Sequence, residues 1–391
     1  MKLTHGAHLA YCTNVHRGGN WAETRNSLET HVLAVRDRVA ANRPFAIGLR
    51  LSDLASRELA ETQTLQAFRR WLEEQDCYVF TINGFPFGNF HGSRVKEQVS
   101  QPDWTTLERL DYTRRLFSLL AELVPSGVEG SVSTVPISFK QFGLDARRAG
   151  IARKHLWQCV EHLDQLRDKS GVELHLGLEP EPFGTVENTD EFLDWMRQME
   201  LEHPGDKRLY RHLGINYDTC HFALQYEEPG KSLGRLVDAG VKISKLHLSN
   251  ALRVRPTEGV RQTLRAFDDG VYFHQVIERR SDGELVRYPD LDVALAAAAA
   301  GKADAEGEWR VHFHIPLHAP EIADWGTTSD HLRGALEELG RRPGLCQHLE
   351  METYTWEVLP KSWKEISVEE MLAKEYFWTL KKLEPLGFSP V

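Results

Sequence analysis

Short apolar or β-branched runs alternate along the chain with longer stretches in which apolar residues recur every three or four positions, the pattern of strand–helix units around a parallel sheet. The short runs predict strands at 5–12, 45–51, 77–83, 130–135, 172–179, 213–218, 243–248, 311–315 and 348–354. The longer stretches predict helices at 26–40, 57–74, 107–123, 146–169, 190–199, 233–239, 291–300 and 329–339, and 367–383 closes the chain. No long linker or low-complexity tract divides this alternation, so a single α/β domain over 1–391 is expected. Nine strands are one more than an eight-stranded ring holds. In 254–288, the runs 271–279 and 284–287 flank the turn-like Ser281-Asp282-Gly283 and read as a hairpin or lid inserted after the seventh strand. The 311–315 run belongs with that insertion or replaces a ring strand.

The 391 residues carry 57 acidic against 47 basic side chains, a formal net charge of -10, which argues against a general nucleic-acid coat. The five cysteines, Cys12, Cys77, Cys159, Cys220 and Cys346, are odd in number and scattered, with no C-x-x-C pair. They fit neither a disulfide framework nor a thiolate zinc site and point to the reducing cytoplasm. No export signal is read at the N-terminus, where His5, His8, His16 and Arg17 interrupt any apolar core. The alanine-rich 291–300 stretch is short and broken by Asp292, so no membrane span is expected.

Metal-competent residues fall at the C-terminal ends of successive strands, where barrel active sites form. In 172–182, alternation places His175, Gly177, Glu179 and Glu181 on one face, and Pro180 and Pro182 end the strand beside Glu179. Asp218 and His221 follow the sixth strand, a carboxylate and an imidazole that suit Mn, Co, Mg or Zn. The bland alternative makes Asp218 a helix cap and His221 a core residue. His247 ends the seventh strand, and His348, Glu350 and Glu352 share a face of the last. Charges alternating inward on a barrel strand are costly to bury unless paired, and a divalent cation is the simplest partner. His312 and His314 share a face of their own strand, either as a hydrogen-bonded cluster or as ligands of additional zinc. His8, Tyr11, Asn14, His16, Asn83, His91 and Lys96 are expected around the same opening.

The order Glu179, Asp218-Thr-Cys-His221, His247 and Glu352 resembles the xylose isomerase-like TIM barrel superfamily of sugar isomerases, ketose 3-epimerases and endonuclease IV. Within it, Ile-Asn-Gly-Phe-Pro at 82–86, Leu-Glu-Pro-Glu-Pro at 178–182, His-Phe-His-Ile-Pro at 312–316 and Glu-Thr-Tyr-Thr-Trp at 352–356 resemble the EboE group of metabolite traffic proteins, encoded beside cyclitol-synthase-like genes. The resemblance implies a (β/α)8 barrel. It also implies one divalent metal held by Glu179, Asp218, His247 and Glu352, with Glu179 and Glu352 exchanging the substrate proton. His221 and Arg253 stand at the epimerases' substrate-binding spacings, and Asn83 and His8 are assigned to the substrate as well. Thr185 replaces a second substrate-contacting Glu, so substrate identity is not carried over. The expected function is a metal-dependent sugar or cyclitol isomerase or epimerase in a specialised-metabolite pathway. The alternatives are an endonuclease IV-like zinc phosphoesterase and a non-catalytic metabolite-binding or traffic protein. The expected partner is a small polyol or sugar-like molecule, with a homo-oligomer left open.

Overall fold

Eight of the apolar runs form the ring. In the computed structural model, which describes residues 1–40, 42–89, 96–268, 270–319, 325–359 and 365–391, the first seven ring strands are β1 (His8–Tyr11), β2 (Phe45–Arg50), β3 (Cys77–Asn83), β4 (Gly130–Thr134), β5 (Leu174–Leu178), β6 (Leu213–Asp218) and β7 (Lys242–Leu248). The last is β13 (His348–Met351), which pairs in parallel with both β1 and β7. All pairings in this sheet are parallel, and a Cys12–Gly48 bridge brings its two edges together. The fold is therefore the expected TIM barrel.

The ninth run, 311–315, lies outside the ring. It belongs to β11 (Glu308–Ile315) of a second, antiparallel sheet with β8 (Asn250–Val254), β9 (Val276–Arg279), β10 (Leu285–Tyr288) and β12 (Trp325–Thr327), in the order β10-β9-β11-β8-β12. The hairpin expected after the seventh strand is β9–β10. The added sheet is larger than that hairpin, because β8 and β12 are too short and mixed in polarity to read as strands. Ser249 alone separates β7 from β8, so the added sheet starts at the C-terminal rim of the barrel.

Helices cover the outside, and their boundaries follow local chemistry. Asn20 caps the helix that begins at Trp21, earlier than periodicity suggests, and a π turn at Leu28–Val32 joins it to Leu33–Val39. The single helix expected over 57–74 is two, Asp53–Leu59 and Thr62–Glu74, with Ser52 capping the first. The longest, Ala146–Ser170, is capped by Asp145, whose side chain accepts from the Arg148 N–H, and stops at Gly171, where φ is 73°. The short helices Arg208–His212 and Thr219–Leu224 carry too few turns to show a period. No described helix is long and apolar enough to cross a membrane.

Candidate metal centre

Strand alternation stacks the barrel interior in levels. On β13, His348, Glu350 and then Glu352 just beyond its end share the inner face, and each meets a different polar level. His348 Nδ1 lies 2.7 Å from Ser131 Oγ, at the N-terminal end. His8 starts β1 in register with His348 and bonds Tyr78, so it lies at the end opposite the opening expected for it. Tyr11 turns outward onto Tyr376, and His16 follows it, bonded to the Tyr11 hydroxyl and stacked on His31. The position of His91 lies outside the described residues.

At the C-terminal level, Glu179, Asp218, His247 and Glu352 converge, each offering one ligand atom within 4.8 Å of the others. His247 Nδ1 is 3.1 Å from Glu179 Oε1, 3.2 Å from Glu352 Oε2 and 3.6 Å from Asp218 Oδ2. All four side chains are buried. Asp218 plays both of the roles its sequence position left open. Its Oδ1 caps the helix at Thr219, accepting from the N–H groups of Cys220 and His221 and from the Ser249 hydroxyl. Its Oδ2 has no hydrogen-bond partner, and neither does Glu179 Oε2. Three buried carboxylates around one imidazole, with two oxygens unsatisfied, form a donor set that suits a divalent cation. Of the last strand's two glutamates, Glu352 joins this set, because Glu350 is one level lower.

Asn14 and Asn83 donate to Glu352 Oε1 at 2.7 and 3.0 Å, fixing that carboxylate from the β1 and β3 side. Burial opposes charge on His247, but the carboxylates of Glu352 and Glu179 outweigh it and hold the imidazolium well above its ordinary range. Burial pushes Glu181 up to about 7, with Glu179 and Asp218 adding to the effect.

Beside this set, three imidazoles face one another. The Nε2 atoms of His221 and His312 are 3.1 Å apart, those of His312 and His314 3.1 Å, and those of His314 and His221 3.4 Å. Each opposite nitrogen meets an oxygen acceptor: Pro180 O for His221, Gln275 Oε1 for His312 and Glu352 O for His314, at 2.8, 2.7 and 3.0 Å. Those acceptors take the Nδ1 protons, so in the neutral rings the three Nε2 lone pairs point at a common space. Burial, with each other's proximity, lowers His312 well below its usual value, and burial lowers His314. Burial opposes charge on His221 too, but the carboxylates of Asp218, Glu179 and Glu181 outweigh it and raise that ring, so a proton on its Nε2 can be shared with the other two.

Glu179 and Glu352 of this set face a cavity lined also by Phe85, Lys96, Glu181, Tyr272, Phe273 and Tyr354, with His221 and His312 on its wall. Asn14 and Lys96 reach it as expected. Tyr272, Phe273 and Gln275 come from the segment before β9, within the 271–279 run that the sequence reads as part of a hairpin or lid, although nothing in the run singles out these side chains. Arg253 is not among the described lining residues, since its guanidinium pairs with Asp330 at 3.1 Å.

No family model and no curated protein matches the chain. Among solved structures, it is similar to an L-ribulose 3-epimerase, at 11% identity and a TM-score of 0.52 over 97% of this chain and 95% of that one. A xylose isomerase domain protein from Alicyclobacillus acidocaldarius subsp. acidocaldarius matches at 14% identity and a TM-score of 0.51 over 97% of this chain and 98% of its own. A xylose isomerase-like TIM barrel protein from Mycobacterium smegmatis in complex with magnesium matches at 13% identity and a TM-score of 0.50, over 91% and 87% of the two chains. At such identities the likeness defines the fold, which is that of the xylose isomerase-like TIM barrels.

Proposed function

We propose that the protein is a divalent-metal-dependent isomerase or epimerase acting on an uncharged sugar or cyclitol. The observation that carries this reading is the convergence of Glu179, Asp218, His247 and Glu352 beneath an open cavity. A bound cation would polarise a substrate carbonyl and lower the energy of an enediolate-like transition state. The chain's own residues do the rest. Glu179, with one oxygen free of hydrogen bonds, removes the proton next to the carbonyl, and Glu352, steadied by Asn14 and Asn83, returns one from the other side. Phe85, Tyr272, Phe273 and Tyr354 give the ring apolar faces and exclude water. His221 and Asn83 contact the substrate from the metal level.

The lining favours an uncharged substrate over a phosphodiester. Among the described residues lining the cavity, Lys96 is the one lysine or arginine, and Asp290 pairs with it. A phosphoesterase needs a basic groove. The sugar-epimerase and magnesium-bound barrels of the same fold support the proposed class. The histidine trio supports a second cation, because Nε2 separations of 3.1–3.4 Å are those of three nitrogens each about 2.0–2.1 Å from one ion.

The test is solvent exchange. Metal-stripped protein, reloaded in turn with Mn²⁺, Co²⁺, Mg²⁺ and Zn²⁺, is incubated in D₂O with a panel of ketoses and keto-cyclitols and followed by NMR. Deuterium should enter next to the carbonyl, and Glu179→Gln or Glu352→Gln should slow entry by roughly 10²–10⁴-fold. Binding of a panel member without exchange would favour the carrier reading. Exchange indifferent to both variants would refute the assigned roles.

A further inference from the structure

One level below the metal groups, the barrel interior holds an ion pair that the proposed chemistry does not use. Lys245 on β7 and Glu350 on β13 are 1% and 0% exposed. Lys245 Nζ lies 2.5 Å from Glu350 Oε2 and 3.2 Å from Ser133 Oγ. The same Glu350 oxygen is 2.7 Å from His247 Nε2, and Glu350 stands opposite His247 in the strand register. A carboxylate paired to lysine is an acceptor only, so His247 donates through Nε2, which leaves Nδ1 as the nitrogen that would give up its proton to a cation. Nδ1 is the atom that faces Glu179, Asp218 and Glu352.

A buried ion pair is a poor source of stability, because desolvation offsets its attraction and apolar side chains of similar volume would fill the same space. The backbone is nevertheless shaped to admit it. A Cβ on Gly48 would lie 2.0 Å from Glu350 Oε1 and 2.6 Å from Tyr11 O, and Gly48 sits at a register shift in the β2–β3 pairing.

We infer that Lys245, Glu350 and Gly48 form a positioning unit that holds His247 with Nδ1 turned toward the metal groups. Glu350 fixes the orientation of the ring through Nε2, and Lys245 holds that carboxylate in place. Gly48 leaves the notch in which the carboxylate lies. The inference rests on the metal reading of Glu179, Asp218, His247 and Glu352.

The experiment measures Co²⁺ affinity of the full chain by competition with a chromophoric chelator, together with the visible Co²⁺ absorption spectrum. Lys245→Met/Glu350→Leu removes both charges at similar volume. It should weaken Co²⁺ binding 10–100-fold and change the spectrum, with far-UV circular dichroism and metal-free melting kept near wild type. Should that variant not fold, Glu350→Gln decides, since a neutral amide oxygen in place of the carboxylate should lose at least fivefold in affinity. Gly48→Ala should act in the same direction by displacing Glu350. A folded double variant, or Glu350→Gln, with wild-type affinity and spectrum would overturn the positioning role alone. A wild-type protein that binds no Co²⁺ would overturn it together with the metal reading.

Discussion

Asp218 uses Oδ1 to cap the helix beginning at Thr219 and leaves Oδ2 aimed at His247, so one side chain joins the end of a strand to the candidate centre. Glu375 shows the same economy behind the site. Fully buried on the helix Val368–Leu383, it accepts from the Leu317 N–H and the Thr353 hydroxyl, tying the segment after His314 to the segment after Glu352. Burial pushes its carboxyl up to about 7, and its second oxygen has no hydrogen-bond partner. The folded state therefore binds this proton more readily than the unfolded chain does. Between the ordinary carboxylate range and about 7 the native state holds more protons, so this group's contribution to stability is greatest at low pH and falls as pH rises. Glu375→Gln keeps an acceptor and removes the charge. Urea titrations should find the variant more stable than wild type at pH 8, by up to ~3 kcal/mol, and little different near pH 4. An equal difference at both pH values would exclude a titrating Glu375 as the cause.

At the scale of elements, the added antiparallel sheet completes the site. β11 delivers His312 and His314, and the segment before β9 supplies Tyr272, Phe273 and Gln275. Gln275 is held by Pro182 O through its amide nitrogen at 3.2 Å, which turns its Oε1 onto His312 Nδ1. Gln275→Leu removes that acceptor and frees the ring. By elemental analysis of reloaded protein, it should lower the bound metal from two equivalents toward one, with the melting temperature of the metal-free chain shifted by no more than a few degrees. Retention of both equivalents would show that Gln275 does not set the ring's orientation. Arg253, chosen by spacing alone, lies on the neighbouring β8 and pairs with Asp330. A spacing measured along the chain does not survive a change of sheet at Ser249.

At the scale of the whole molecule, an ion that binds only the folded chain should stabilise it. The buried carboxylates of Glu179, Asp218 and Glu352 repel one another without a cation between them, so chelator-treated protein should melt lower than reloaded protein. An ion at 100 times its dissociation constant adds about 2.7 kcal/mol. Differential scanning fluorimetry with and without EDTA measures the shift, and Asp218→Ala should abolish it. A shift that survives Asp218→Ala would place the binding elsewhere.

Much of this architecture was legible in the sequence. Parallel barrel strands are apolar runs bounded by turns, and each ends at the rim where its next polar residue must emerge. The ring, its surplus ninth strand and the strand-end placement of Glu179, Asp218 and His247 could therefore be read from periodicity and order, because strand alternation and strand ends are local properties. Three features needed the folded chain. The choice between Glu350 and Glu352 depends on the β7–β13 register, which sets the level each carboxylate occupies. The histidine trio needs the helix after β6 to meet β11 of the other sheet. His8, expected at the opening, and His348, on the face of the last-strand glutamates, both start their strands, and the parallel register puts them at the N-terminal end. Local pattern determines which side chains point inward, while the register and docking of distant strands determine which of those meet.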